Sequence, residues 1–374
     1  SSFEMAEGVA IDAAGHVYVT GMTGSSALSF PAKIGPDLTG NGMADSFVTK
    51  LALDPTKPEV LDNIVYSGYI GGNRHDCYIY ERNGENYVSS GHIDVDAFGA
   101  AYISGQTQST EATFPDGNGF GAVPGADQTF GGAWDSWIVK VGADGRGFDY
   151  ATFMGGAVED LAFGMDVDAS GAAYFAAWTD SPEDSLGPVG GPDLSFNGDS
   201  DALAGKLTPD GRAFAYLGYI GGAKGDAGMG VKVDPWGRLA VFGGTASDAT
   251  TFPVAVGPDL SFNGGVPFEG DGFVTLLEAD PTAPDVADNI VLSGYIGGTA
   301  WDQVFWADFG PDGDLHLVGD TTSGPDTFPD GGGLAGRPGL RDTVAGASDA
   351  FHVKIAMPPA PDRPPTPTAA AAGS

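Results

Sequence analysis

Apolar and polar residues alternate in short runs along most of this chain, and the runs return in the same order five times. In the fourth return, Gly-Met-Gly-Val-Lys-Val-Asp (228–234) alternates into a strand, Pro-Trp-Gly (235–237) turns, and Arg-Leu-Ala-Val-Phe-Gly-Gly (238–244) comes back. A period of two interrupted by a turn predicts a hairpin. A long Gly/Pro/Asn loop then leads to Asp271, after which 272–277 and 289–296 predict a third and a fourth strand. Four short antiparallel strands per copy predict an all-β fold, a β-propeller of about five blades.

The markers of the repeat are sharp. Gly-Tyr-Ile-Gly-Gly stands at 68–72, 218–222 and 294–298, with Thr-Phe-Met-Gly-Gly at 152–156. An apolar strand ends at Asp12, Asp96, Asp168, Asp234 or, in the last copy, Gly310, and eleven residues on come Thr23, Thr107, Thr179, Thr245 and Thr321. Phe-Pro pairs follow at 30–31, 114–115, 252–253 and 328–329, and each copy closes on a strand starting at Asp45, Asp135, Asp201, Asp271 or Asp349. Length variation falls in the loops, so one domain is expected over 1–355, with repeats at about 1–72, 73–156, 157–222, 223–298 and 299–355. Copy five lacks a Gly-Tyr-Ile-Gly-Gly strand after Lys354, and copy one has none before Glu4, so one blade is expected to be incomplete. A three-stranded closing blade, a strand supplied by a partner and a longer molecule all remain open.

The order Tyr-x-Gly-Gly, Val-Asp-x-x-Gly, Val-Tyr-Val-Thr-Gly-x-Thr, Phe-Pro, Asp-x-Phe-Val-x-Lys-Leu resembles the bacterial β-propeller repeat family known as SBBP. Its middle part is clearest from Ala10 to Thr23 and its closing part from Asp45 to Leu51. The resemblance runs from about residue 3 to 355, and implies an extracellular or surface-exposed module with no agreed activity. The family name implies seven blades where five are seen here.

Composition narrows the partners. The 374 residues carry 50 acidic against 16 basic side chains, a formal charge of −34, with 61 Gly and 26 Pro. No basic face exists to release counterions from nucleic acid or an anionic membrane, and no apolar run is long enough for a membrane span. Such a surface suits cations, basic proteins or a salty environment in which screening relieves self-repulsion. The single Cys77 excludes a disulfide framework, and an exported, mature chain at the cell surface or outside it is expected.

Residues repeated in every copy read as structural: Thr at a strand end and Asp before a turn bond the local backbone, and Lys50, Lys140, Lys206 and Lys354 are expected to pair with those acids. Three loops place oxygen ligands four apart: Asp37, Asn41 and Asp45; Asp193, Asn197 and Asp201; Asp259 and Asn263, ahead of Asp271. Calcium (Ca2+) takes many hard oxygen ligands in loose geometry, so these are the candidate metal ligands, with Asx turns as the alternative. No other cofactor is expected.

Departures from the repeat carry the functional expectation. About twelve extra residues in copy two hold Arg74, His75, Cys77, Tyr78, Tyr80, Arg82 and Tyr87, a concentration of scarce residue types. The chain ends in a Pro/Ala-rich tail, 356–374, containing Pro358, Pro359, Pro364 and Pro365, which favours polyproline II and cannot join a sheet interior. Both segments are expected to bind a protein partner or build an oligomer. No Gly-x-Ser-x-Gly elbow, His-Glu-x-x-His pair or Cys-x-x-Cys-His haem site occurs, so a non-catalytic scaffold is expected. A polysaccharide hydrolase, and a calcium-dependent glycan-binding or adhesion module, are the alternatives; the six tryptophans offer either sugar platforms or core packing.

Overall fold

The computed structural model describes residues 3–82, 85–89, 91–191, 193–264, 270–280, 286–334 and 347–358. The fold is all-β, of the β-propeller class, and built of five antiparallel blades. The first sheet orders β1 (Glu4–Ile11), β2 (Val17–Thr23), β3 (Asp45–Leu51) and β4 (Ile64–Ile70) in chain sequence. A separate hairpin follows, β5 (Tyr78–Arg82) with β6 (Glu85–Ser89). The second sheet holds β7 (His92–Val95), β8 (Ala101–Thr107), β9 (Asp135–Val141) and β10 (Phe148–Met154); the third holds β11 (Asp160–Val167), β12 (Ala173–Thr179), β13 (Asp201–Leu207) and β14 (Phe214–Ile220). The fourth comprises β15 (Asp226–Val233), β16 (Leu239–Thr245), β17 (Asp271–Leu277) and β18 (Ile290–Ile296). The fifth has three strands among the described residues, β19 (Asp302–Phe309), β20 (Leu315–Thr321) and β21 (Asp349–Ile355).

The turn between the first two strands of each sheet is dictated locally. Asp12 Oδ1 accepts the N–H groups of Ala14 (3.0 Å) and His16 (2.9 Å), and Asp96, Asp168 and Asp234 repeat that Asx geometry. The turn needs a left-handed residue, and Gly15, Gly99, Gly171, Gly237 and Gly313 supply it at φ between +79° and +85°.

Two compact units divide the chain, one of Ser1–Ala173 with Leu207–Phe214, the other of Tyr174–Lys206 with Ala215–Thr366. In the first unit, Tyr18, Val48, Tyr66 and Ile70 of the first sheet pack against Ile103, Trp137, Val139 and Phe153 of the second. In the second unit, Phe242, Val274 and Leu292 of the fourth sheet meet Leu315, Leu317 and Phe351 of the fifth. Each such side chain contributes about 1.5–3 kcal/mol when fully withdrawn from water.

The Phe-Pro pair is explained by aromatic wedging. Phe30 lies 5.3 Å from Phe47 and 4.9 Å from Tyr69, joining the third and fourth strands of its sheet. Phe114 does the same with Trp137 and Phe153, and Phe252 with Phe273 and Tyr295. In the third sheet, where Ser181-Pro182 replaces Phe-Pro, Phe196 sits 6.1 Å from Tyr219 instead. In the fifth, Phe328 and Phe351 are 4.9 Å apart.

Candidate interaction surface

The repeated polar residues are engaged in structure. At the second sheet, Thr107 Oγ1 donates to Asp76 Oδ1 (2.5 Å), Ser109 Oγ donates to Asp76 Oδ2 (3.1 Å), and Ser109 N donates to Thr107 Oγ1 (2.7 Å). Gly72 N, from the Gly-Gly pair ahead of the sheet, donates to the same Asp76 (2.8 Å). Asp226 with Thr245, Ser247 and Gly222 repeats the set, and Asp302 takes Ser323 Oγ and Gly298 N. Glu4 stands in for the aspartate in the first sheet, accepting from Ser25 Oγ. Thr107 and Thr245 thus tie the aspartate to the end of the second strand of their sheets.

A second acid lies by Asp76, Asp226 and Asp302: Asp45, Asp201 and Asp271 in turn. Asp45 Oδ1, Asp201 Oδ1 and Asp271 Oδ1 are buried with no hydrogen-bond donor. A methyl group at Gly71 would lie 2.7 Å from both Asp45 Oδ1 and Asp76 Oδ2, and one at Gly221 would touch both Asp201 and Asp226, so each orphaned oxygen points to the next aspartate. Burial pushes Asp45, Asp201 and Asp271 up to about 7 and Asp76 up to about 8, reinforced by the facing carboxylate for Asp201, Asp271 and Asp76 and by Asp37 for Asp45. These pairs are at most 3% exposed, so no substrate reaches them.

The candidate calcium loops form Asx turns, the alternative left open by the sequence. Thr39 N donates to Asp37 Oδ1 (3.0 Å), Asn41 Nδ2 to Asp37 Oδ2 (2.5 Å), and Asn41 N to Asp45 Oδ2 (2.8 Å). Asn197 likewise donates its side-chain amide to Asp193 and its backbone N–H to Asp201 Oδ2 (2.9 Å), while Asn263 serves Asp259 (2.6 Å) and Asp271 (2.8 Å). Among the described residues no group of three or more His, Cys, Asp or Glu side chains converges as a metal site.

Two of the lysines lie by the repeated turn acids, and a third lies by an acid of its own turn. Lys50 lies 3.6 Å from Asp12, Lys140 3.3 Å from Asp96, and Lys354 2.5 Å from Asp312. Lys206 caps the Tyr174 ring at 4.8 Å. Where Leu276 replaces the lysine, Arg238 pairs with Asp234 at 2.6 Å, a substitution the sequence reading missed.

The extra residues of the second copy grow from a definable place. The first strands β1, β15 and β19 each carry a register shift three residues after their starting acid, at Ala6/Gly8, Gly228/Gly230 and Val304/Trp306. In the second copy the acid is Asp76, and the β5–β6 hairpin leaves the strand at that same point before β7 resumes it. Asp76 and Cys77 at its base are buried, Cys77 against Met22 and Ala44. Arg74 is exposed, and its backbone N–H donates to Ser109 Oγ (3.0 Å). His75 is half-buried, its backbone carbonyl accepting Gln108 N (2.8 Å). Tyr78, Tyr80, Arg82 and Tyr87 lie on the hairpin strands, and their side chains fall outside the described residues. Of the tail, Pro358 O accepts from Arg238 Nη1 (3.4 Å) and Met357 N donates to Asp314 (3.3 Å), both within the second unit; Pro359, Pro364 and Pro365 fall outside the described residues.

No protein-family description matches the chain, and no curated protein matches it. Among solved structures it is similar to a protein of unknown function from Dyadobacter fermentans, at 9% identity and a TM-score of 0.41, covering 86% of this chain and 77% of that one. It is also similar to the Dos1 propeller (10%, TM-score 0.32, 83% and 65%) and to 1,3Gal43A, an exo-β-1,3-galactanase from Clostridium thermocellum (11%, TM-score 0.30, 84% and 54%). At such distances the fold rests on the blades themselves. No described helix is long and apolar enough to cross a membrane.

Proposed function

We propose that this protein is a non-catalytic scaffold subunit of an extracellular or cell-surface assembly, making its contacts through features that break the repeat. One observation carries the reading: ionisable groups repeated from blade to blade are buried in hydrogen bonds between strands, whereas the β5–β6 hairpin forms a two-stranded sheet of its own that no blade includes. A blade completes its ladders without this hairpin, so its presence answers to something other than folding. The resemblance to SBBP repeats and the strongly acidic surface support an exported, soluble location.

The test is the size of the protein recovered from its native source. A scaffold subunit elutes in a stable multimer or heteromeric complex, and cross-links from the complex map to residues 73–92. Recovery as a monomer that turns over a polysaccharide would overturn the reading.

A further inference from the structure

Glycine follows asparagine five times in this chain, at 41–42, 83–84, 118–119, 197–198 and 263–264. The dipeptide is chemically labile, because a residue without a side chain lets its backbone nitrogen approach the amide carbon of the residue before it. Three of these asparagines belong to the Asx-turn loops, and the fold holds each of them at two points. Asn41 donates its side-chain amide to Asp37 Oδ2 (2.5 Å) and its backbone N–H to Asp45 Oδ2 (2.8 Å). Asn263 donates in the same way to Asp259 (2.6 Å) and Asp271 (2.8 Å), and Asn197 to Asp193 and, across 2.9 Å, to Asp201. One acceptor precedes the asparagine in the chain and the other follows it, at the buried start of a third strand. A carboxylate acceptor makes each bond a strong one. A methyl group at Gly117 would lie 2.6 Å from Asn41 Cγ, and one at Gly331 would lie 2.5 Å from Asn263 Oδ1, so two of the three amides are also covered by a glycine from another loop.

Asn118 is held differently. It is exposed, and among the described residues both of its bonds go to Asp116, two positions earlier. Its backbone N–H donates to Asp116 Oδ1 (3.0 Å) and its side-chain amide to the Asp116 carbonyl (3.3 Å). A partner so near in the chain moves with the asparagine and leaves the amide free to turn toward the next nitrogen. Asn83-Gly84 falls outside the described residues.

We propose that Asn118 is a site of spontaneous conversion to aspartyl and isoaspartyl residues, and that the Asp-x-x-x-Asn clamps of the other loops protect their asparagines from the same reaction. Gly119 N attacks Asn118 Cγ, the bond from Cγ to the amide nitrogen breaks, and ammonia leaves with the Gly119 amide proton. The resulting five-membered imide is opened by water. Cleavage between Cγ and the Gly119 nitrogen gives aspartate, and cleavage between the backbone carbonyl carbon and that nitrogen gives isoaspartate, with the chain running through Cγ. Either product adds a negative charge, and the second lengthens the backbone beside Pro115, whose carbonyl accepts Gly71 N of the first sheet (2.7 Å), and Gly117, which faces Asn41. Asn118 lies outside the hairpin and the tail, so the site stands apart from the scaffold reading.

The intact protein is incubated at pH 8 and 37 °C, digested, and its Asn-Gly peptides are followed by mass spectrometry, with isoaspartate-specific carboxyl methylation as a second readout. In the folded chain Asn118 is expected to convert about tenfold or more faster than Asn41, Asn197 and Asn263, because their clamps must break before the ring closes. In guanidinium the four rates should converge. Asp193→Ala removes one arm of a clamp and should speed the conversion of Asn197 about tenfold. The folded and unfolded wild-type chains carry the comparison should that variant fail to fold. Equal rates in the folded chain, an order that persists in guanidinium, or an Asn197 rate unmoved in a folded Asp193→Ala protein would overturn the assignment.

Discussion

Arg238 donates through Nε to Asp234 Oδ2 across 2.6 Å, in the one blade whose third strand carries Leu276 where the others carry lysine. The acid at the end of the first strand therefore has a cation in the fourth sheet as it does in the first and second, but from a different place in the chain. In the first two sheets the cation reaches over from strand three; here it comes from the turn itself, four residues past the acid. The guanidinium is 4% exposed and the carboxylate 2%, so this is a buried ion pair.

Removing one partner of such a pair leaves an uncompensated buried charge. Arg238→Ala is expected to cost about 3–5 kcal/mol, while Arg238→Met with Asp234→Asn recovers most of it. The repeat supplies a sharper test. Leu276→Lys in the Arg238→Ala background restores the geometry of Lys50 and Lys140, and chemical denaturation should show partial rescue. No rescue would mean that the two cation positions are not equivalent.

The Asp45 and Asp76 pair predicts an unusual response to pH. Burial raises both carboxyls, to about 7 and about 8 from an ordinary 3.8. A group whose pKa is higher when folded contributes stability that is complete below the unfolded pKa and is lost as pH climbs through the folded one. Asp201 and Asp271 share the shift, so the loss runs from about pH 4 to pH 8. Asp12, held low despite its burial by hydrogen bonds from His16 and Tyr18, acts in the opposite sense at acid pH. The melting temperature should therefore fall steadily from pH 5 to pH 8.5. Asp45→Asn, which mimics the protonated acid, should flatten that fall. A chelator should leave the profile unchanged, because the proton and not calcium then satisfies the orphaned oxygen; a melting temperature raised by calcium at pH 8 and not at pH 5 would show the reverse.

The Asp-Thr-Ser ties predict a graded series. Thr107→Val keeps the shape but strips a donor from Asp76 and an acceptor from Ser109 N, both fully buried. An expected cost of about 1–3 kcal/mol follows, with Thr107→Ser milder because it keeps the hydroxyl. A Thr107→Ser cost in urea denaturation larger than that of Thr107→Val would place the role of Thr107 in its methyl group.

Much of this arrangement is legible before any coordinates. Asp45, Asp135, Asp201, Asp271 and Asp349 each begin a third strand because an acid followed by period-two alternation reads the same way in every copy. The Asx turns are legible too, since Asp and a following glycine act within a few residues. What escapes is contact between distant positions. Nothing in the sequence says that Asp45 meets Asp76, because that depends on how one blade lies on the next. Arg238 escapes for a related reason: a missing lysine is visible at Leu276, but its replacement sits far from it in the chain, in the turn after the first strand. The origin of the β5–β6 hairpin at a bulge position is equally hidden, because a one-residue register shift leaves no compositional trace.

That origin makes the hairpin separable from the fold. A bulge is a point where the ladder already opens, and β7 rejoins β8 beyond it with His92 opposite Ser104. Replacing residues 78–91 with two residues patterned on Ala162-Phe163 of the third sheet would restore the ordinary first strand behind Asp76 and Cys77. The shortened protein is expected to keep its melting temperature within a few degrees, since the buried groups at the base are retained. It should also lose the native complex, measured by co-purification against the intact chain. A shortened protein that assembles normally would remove the hairpin as a contact surface, and one that fails to fold, while Arg74→Ala and His75→Ala single variants assemble normally, would assign it a purely structural role.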